Sequence, residues 1–289
     1  MRFYMAGAEN TKYLKILHDV WAKNILLSFF YLRWKKHEKI VEILSYARSY
    51  AESIFLDSWA HTLIVAFWQD AKRWPFKNSY GWKLDLQQYI SDFFDFITKY
   101  HQYFDAIAEL DIWIVPQIWY EKVKEWREYM KKLWLLNKMV VVMHYNHFTQ
   151  MLGWWKDEWR NMLREYPKLA LWDWPEWYVL KEIFDIWKEE WHNNKVHWFA
   201  ETKLSKVTRC PYYSVDSTSW QQGLRYNQYL IFLNWKFRHM SAGDFRKKYG
   251  VDLAKMPTEK KIKMNFKAYQ DCERWATALQ KAKWIVRDD

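Results

Sequence analysis

The sequence predicts an α/β protein, a (β/α)8 TIM barrel with a C-terminal mixed, largely helical extension. Three observations predict it. Strand-like and helix-like segments alternate almost without interruption through about three quarters of the 289 residues. Eight strand steps are present with no hairpin signal among them, as a closed parallel barrel requires. No GxGxxG follows any strand, which leaves an open doubly wound sheet as the second choice.

The elements follow in order. "RFYMAGAE" (2–9) is the first strand, and "NTKYLKILHDV" (10–20) its helix. "NILLSFFYL" (24–32) is the second strand. "EKIVEILSYARS" (38–49) is helical, apolar at Ile40, Val41, Ile43, Leu44 and Ala47. "SIFLDS" (53–58) is the third strand, and 62–84 an insertion with Pro75 and a "KNSYG" turn. A long amphipathic helix covers 84–104. "AIAELDIW" (106–113) is strand four and 120–133 its helix. "KMVVVMHYN" (138–146) is strand five, apolar and β-branched as in a sheet buried on both faces. A helix (156–166), strand six (168–174) and another helix (178–190) follow. Strand seven is "KVHWFAET" (195–202), followed by a short helix (204–210), and strand eight is "YYSVDSTS" (212–219). The barrel is expected over 1–220. The extension, 221–289, holds a short strand at 229–233 and a helix over roughly 259–281, and is expected to close or pack on the barrel.

Composition narrows the class. A formal charge of +11 favours an anionic partner, nucleic acid being the usual one. Two cysteines, Cys210 and Cys272, lie far apart in no CxxC pair, against a disulfide framework or a cysteine zinc site and in favour of a reducing compartment. The first residues carry no apolar h-region, and no apolar run reaches the ~20 residues of a membrane span. A cytoplasmic protein with no membrane partner is expected.

One number is abnormal. The chain has 23 Trp and 6 Gly, whereas ordinary usage gives about 20 glycines in this length. Trp21, Trp134 and Trp191 each stand just past a helix that leads into a strand. This is the C′ position, where a left-handed backbone favours glycine. Trp59, Trp172, Trp174, Trp177 and Trp198 stand at or just beyond strand ends, where turns also favour it. Trp126 and Trp159 lie inside helices, where an aromatic is ordinary. The pattern is that of glycine codons read as tryptophan, since UGA specifies tryptophan in some genetic codes and glycine in others. The competing reading is a genuinely tryptophan-rich chain whose indoles stack on bases.

A barrel carries its site at the C-terminal ends of its strands. The polar residues there are Glu9, Asp57, Ser58, Glu109, Asp111, His144, Asn146, Asp173, His197, Glu201, Asp216 and Ser217. Carboxylates from different strands facing one mouth suit general acid–base or nucleophilic work.

With Trp59 read as glycine, "FLDSWAHT" becomes "FLDSGAHT". This resembles the DSGGFQ-type motif of tRNA-guanine transglycosylases. It is more similar to the DSGAF-type motif of their phage and bacterial DNA-modifying relatives, the deoxypurine-in-DNA protein A group. "KVHWFAET", "YYSVDSTSW" and "LALWDWPEW" resemble, in order, three further segments of those barrels, and the resemblance spans roughly 3–220. It implies exchange of guanine for a 7-deazaguanine base in DNA, or in tRNA, through an aspartyl intermediate. It makes Asp216 the nucleophile and Asp57 the general acid/base. Ser58, Asp111, His144, Asp173, His197 and Ser217 become substrate-binding residues. The chain lacks the CxCxxC…H zinc cluster of the tRNA enzymes, so no metal or other cofactor is implied and DNA is favoured over tRNA.

Two other functions compete. In a metal-dependent barrel hydrolase, His61, His144, His147, His197 and Asp216 would gather at the mouth. A non-catalytic nucleic-acid binder would use the basic stretches "RWKKHEK" (33–39) and "EKKIKMNFK" (259–267) with their interleaved aromatics.

Overall fold

The computed structural model describes residues 1–58, 85–112, 120–144, 155–172, 177–190, 193–200, 210–217, 228–234, 236–252 and 255–283. Eight parallel strands close a barrel in chain order: β1 (Arg2–Ala6), β2 (Asn24–Ser28), β3 (Ser53–Asp57), β4 (Ala106–Ala108), β5 (Met139–His144), β6 (Lys168–Trp172), β7 (Lys195–Trp198) and β8 (Ser214–Ser217). Closure is made by β1 on β8, with Phe3 opposite Val215 and Tyr4 opposite Asp216. The helices are α1 (Thr11–Asp19), α2 (Phe29–Leu32), α3 (His37–Arg48), α4 (Leu86–Tyr100), α5 (Tyr120–Lys132), α6 (Trp155–Glu165), α7 (Trp177–Glu189), α8 (Ala242–Tyr249) and α9 (Thr258–Lys283). An antiparallel pair, β9 (Gln228–Leu233) and β10 (Lys236–Ser241), precedes α8.

Alternation along each strand sorts side chains into two cores. Inward-facing Tyr4, Ala6, Leu26, Phe55, Ala108, Val140, Val142 and Ala170 plug the barrel. Outward-facing Phe3, Met5, Ile25, Leu27, Ile54, Leu56, Val141 and Leu171 pack under the helices. α9 buries Ile262, Phe266, Tyr269, Cys272 and Ala276, a helical stripe. It lies against β1: Glu273 accepts the Phe3 N–H (3.2 Å), and the Tyr269 ring meets Phe3 at 6.2 Å. It thus fills the place of the eighth barrel helix.

Several boundaries differ from the sequence expectation. "FFYL" does not extend the second strand but forms α2, because a short apolar run reads alike as strand or buried helix. The first strand stops at Ala6, where Gly7 turns to φ 86. The insertion at 62–84 and the helix at 204–209 lie outside the described residues. β10 and α8 are elements that the sequence pattern does not reveal.

The helix ends carrying tryptophan have a specific geometry. Trp21 (φ 58) and Trp134 (φ 60) are both left-handed. After α1, Trp21 N–H donates to His18 C=O and Ala22 N–H to Leu17 C=O, both at 2.9 Å. After α5, Trp134 N–H donates to Lys131 (2.9 Å) and Leu135 N–H to Met130 (3.1 Å). Both are Schellman caps with tryptophan at C′. Gly250 takes the same left-handed conformation (φ 68) after α8. The indoles are 77% and 93% exposed, and Trp21 meets the edge of the His18 ring at 6.5 Å. Trp159, by contrast, is fully buried and donates through Nε1 to Ile183 C=O at 3.1 Å. Trp177 opens α7 and is 44% exposed. Trp172 ends β6 half-buried, its ring 5.9 Å from Phe199. Trp59, Trp174 and Trp191 lie outside the described residues.

A left-handed residue with a Cβ costs about 1 kcal/mol. Trp21→Gly and Trp134→Gly are each expected to raise unfolding free energy by up to that amount in urea titrations. Trp159→Ala is expected to lower it by about 3–5 kcal/mol, through the cavity it leaves.

Candidate functional site

The C-terminal strand ends bring together two carboxylate–histidine pairs. Asp111, just past β4, pairs through Oδ2 with His144 Nε2 at the end of β5. Asp111 Oδ1 accepts the Ser58 hydroxyl at 3.3 Å. Ser58 is held by Tyr89 of α4, whose hydroxyl donates to its carbonyl at 2.6 Å. All four residues are buried. Burial holds the Tyr89 phenol well above its ordinary pKa, with Asp57 and Asp111 adding to the effect, so it stays a donor.

The second pair lies across the barrel, on β7 and β8. His197 points into the barrel between Phe55 (5.0 Å) and Phe199 (4.6 Å). Its Nδ1 contacts Ser214 Oγ at 2.9 Å and its Nε2 contacts Asp216 Oδ1 at 3.3 Å. Asp216 Oδ1 also accepts the Ala200 N–H at 2.7 Å. Ala200 achieves this with a left-handed backbone (φ 52), strain of the kind that gathers at functional sites. Both contacts fall on Oδ1. Among the described residues Asp216 Oδ2 accepts nothing, and it sits at the mouth end of its strand.

Two expected candidates are committed elsewhere. Glu109 points outward and meets Arg127 of α5, with Nε–Oε2 at 2.5 Å and Nη2–Oε1 at 2.9 Å, while Oε1 also takes the Val142 N–H at 2.7 Å. Burial works against the Arg127 charge, but the facing carboxylate holds its pKa above the ordinary value. Glu9 accepts the Ser28 N–H at 2.8 Å and ties the ends of β1 and β2 together. Burial pushes its pKa up to about 7, against the pull of that hydrogen bond.

The remaining candidates divide. Asp57 ends β3, half-buried. Ser217 faces outward, with its hydroxyl 3.2 Å from Tyr269 of α9, away from the mouth. Asp173, Asn146 and Glu201 lie outside the described residues. Sequence reasoning missed Tyr89, Arg127 and Ala200. Arg127 left one signal: it shares the apolar stripe of Val123, Trp126 and Met130.

No profile of a known protein family matches the chain, and no curated protein matches it. A solved structure of D-psicose 3-epimerase in the presence of D-fructose is similar over 97% of this chain and 98% of that one, at 10% identity and a TM-score of 0.34. That likeness carries no argument about activity.

The transglycosylase resemblance is therefore corrected. No family profile and no curated protein supports it, so it stands on four short segments alone. With it go the pentosyltransferase activity, the 7-deazaguanine base and the DNA or tRNA partner. Trp198 gives a local reason. It is not in a turn over a base but in β7, 1% exposed, facing outward onto Tyr212 at 4.9 Å.

The other two functions are corrected as well. Among the described residues no three His, Cys, Asp or Glu side chains gather as metal ligands, and His61 and His147 lie outside those residues. Much of the two basic stretches is engaged within the fold, with Trp34 55% exposed. In 259–267, Ile262 and Phe266 are core residues and Lys263 pairs with Asp19 and Glu259. In 33–39, Arg33 lies over Trp34 at 4.2 Å and Lys39 pairs with Glu42. No helix among the described residues is long and apolar enough to cross a membrane.

Two stability effects follow. Arg127→Met strands a buried carboxylate and is expected to cost about 3–5 kcal/mol in urea titration. Glu9 binds its proton more tightly folded than unfolded. Its contribution is complete below the unfolded pKa near 4.5 and is lost as pH rises through about 7. That amounts to about 3 kcal/mol at 1.36 kcal/mol per unit. Glu9→Gln is expected to flatten this part of the stability–pH curve.

Proposed function

We propose that the barrel mouth is an acid–base site that moves a proton on a small polar substrate, an isomerase-type reaction. The observation that carries this reading is the pair of carboxylate–histidine units on opposite walls. β8 stands across the ring from β4, so Asp216 and the Asp111–His144 pair face one another over the mouth. A substrate carbon between them can lose a proton on one face and regain one on the other.

Asp216 Oδ2 is the base. Two donors on Oδ1 fix the carboxylate's orientation and leave Oδ2 open to the substrate. His144 is the acid, with Asp111 orienting its ring and balancing its charge. The proton passes from the substrate carbon to Asp216, and another returns from His144. Ser58 and His197 are positioning residues, acting through Asp111 and Asp216. Asp57 extends the polar rim toward substrate hydroxyls. Cys210 and Cys272 form no disulfide, in keeping with a reducing, cytoplasmic setting.

The test is solvent exchange. The protein is incubated in deuterated water with a panel of α-hydroxycarbonyl compounds, and loss of the carbon-bound proton is followed by NMR. At least one compound is expected to exchange. Asp216→Asn and His144→Gln are each expected to slow that exchange by about 10²–10⁴-fold, and Asp185→Asn, on the exposed face of α7, to leave it unchanged. Exchange undiminished in both site variants, or none with the whole panel, would overturn the reading.

A further inference from the structure

We propose that the opposite, N-terminal floor of the barrel is a binding site for a phosphate-sized oxyanion, built by Arg2, Lys168 and Lys195. These are the first residues of β1, β6 and β7. They line one cavity of about 190 Å³ with the hydroxyl-bearing Ser53, Ser214 and Tyr4. Barrel floors ordinarily serve stability, and three half-buried cations pointing together work against it.

No carboxylate pairs directly with these cations among the described residues, although Asp105 acts on Lys168 and Glu273 on Arg2 from a distance. Two carboxylates line the floor, and both are engaged: Glu52 by Lys23, and Asp105 by Arg48 and the Ile54 N–H. Arg2, Lys168 and Lys195 form no salt bridge among the described residues. Lys168 Nζ donates to the Asp105 carbonyl at 2.5 Å. Arg2 and Lys195 lie over the same Tyr213 ring at 5.1 and 4.9 Å. Burial first, then Lys195, Lys138 and Arg2, lower the Lys168 pKa to about 8, against the opposing pull of Asp105. An oxyanion supplies the missing charge and takes up their donors, as phosphate sites do. His197 also lines the cavity, so its ring separates this floor from the mouth.

The test is titration of inorganic phosphate into the whole protein by calorimetry, with chloride holding ionic strength constant. Saturable one-site binding is expected. Lys168→Met is expected to weaken it at least about tenfold, as is Lys195→Gln, which keeps the half-buried start of β7 polar. Without phosphate both variants are expected to melt no lower than the parent protein, because each relieves repulsion. Absence of saturable binding to the parent protein would overturn the proposal. So would equal affinity in whichever variant folds.

A separate observation carries a second inference. We infer that the codons for residues 21 and 134 specify glycine. Both backbones are left-handed, both complete Schellman caps, and both indoles lie largely in solvent, Trp21 touching only the edge of His18 at 6.5 Å among the described rings. Packing therefore selects neither indole, while the backbone selects against a Cβ at both sites. The chain-wide excess of Trp and shortage of Gly has the same sense. This rests on backbone conformation and composition, independent of any family. The gene and the native protein test it: UGA at both codons with glycine in the peptide masses is expected. UGG at either codon, or tryptophan in either peptide, would overturn it.

Discussion

Strand alternation in a closed ring is the constraint on which the rest of this structure depends. Once eight parallel strands close, every second side chain must enter a space too narrow for water-filled polar groups. The inward residues therefore stack in three levels. Cations stand on the floor, aromatic and small apolar residues plug the middle, and acids with their histidines stand at the mouth. His197 belongs to both upper levels. Its ring is packed in the aromatic plug, while its nitrogens reach Ser214 below and Asp216 above.

Where β4 ends, alternation lapses, and that separates a carboxylate that holds the fold from one available for chemistry. Glu109 and Asp111 are two residues apart at the end of β4, yet differ in role. Glu109 turns out to Arg127 and the helix layer, where its bonds are complete. Asp111 reaches Ser58 and His144 at the mouth. Glu9 is spent on the neighbouring strand, and its raised pKa reflects burial rather than a reactive setting. A perturbed pKa is thus less informative here than the direction in which a carboxylate's open oxygen points. By that measure Asp216 stands apart.

Tryptophan plays opposite parts in this chain. Trp159 and Trp198 fill the layer between strands and helices. Trp21 and Trp134 occupy helix ends whose geometry has no use for an indole. The difference was legible from position, because a helix running into a strand through one or two residues needs a left-handed link. Trp198 shows the limit of that argument. Its place near a strand end suggested a glycine-like turn, but pairing continues through it and points its side chain outward.

The sequence by itself determined the barrel. Period-two apolar runs separated by helical stripes leave few ways to bury both faces of a parallel sheet, and eight such units close. It also determined which residues reach the strand ends, including Asp57, Asp111, His144, His197 and Asp216. Only the tertiary structure decided which of them meet. Partnership depends on strand neighbours, residue parity and helix placement, so Asp111 finds His144 from 33 positions away, while Glu109 finds Arg127. Short motifs carry none of that information, which is why a resemblance built on four of them did not give the chemistry. Local spacing sets the direction of a side chain, but closure of the ring sets what it faces.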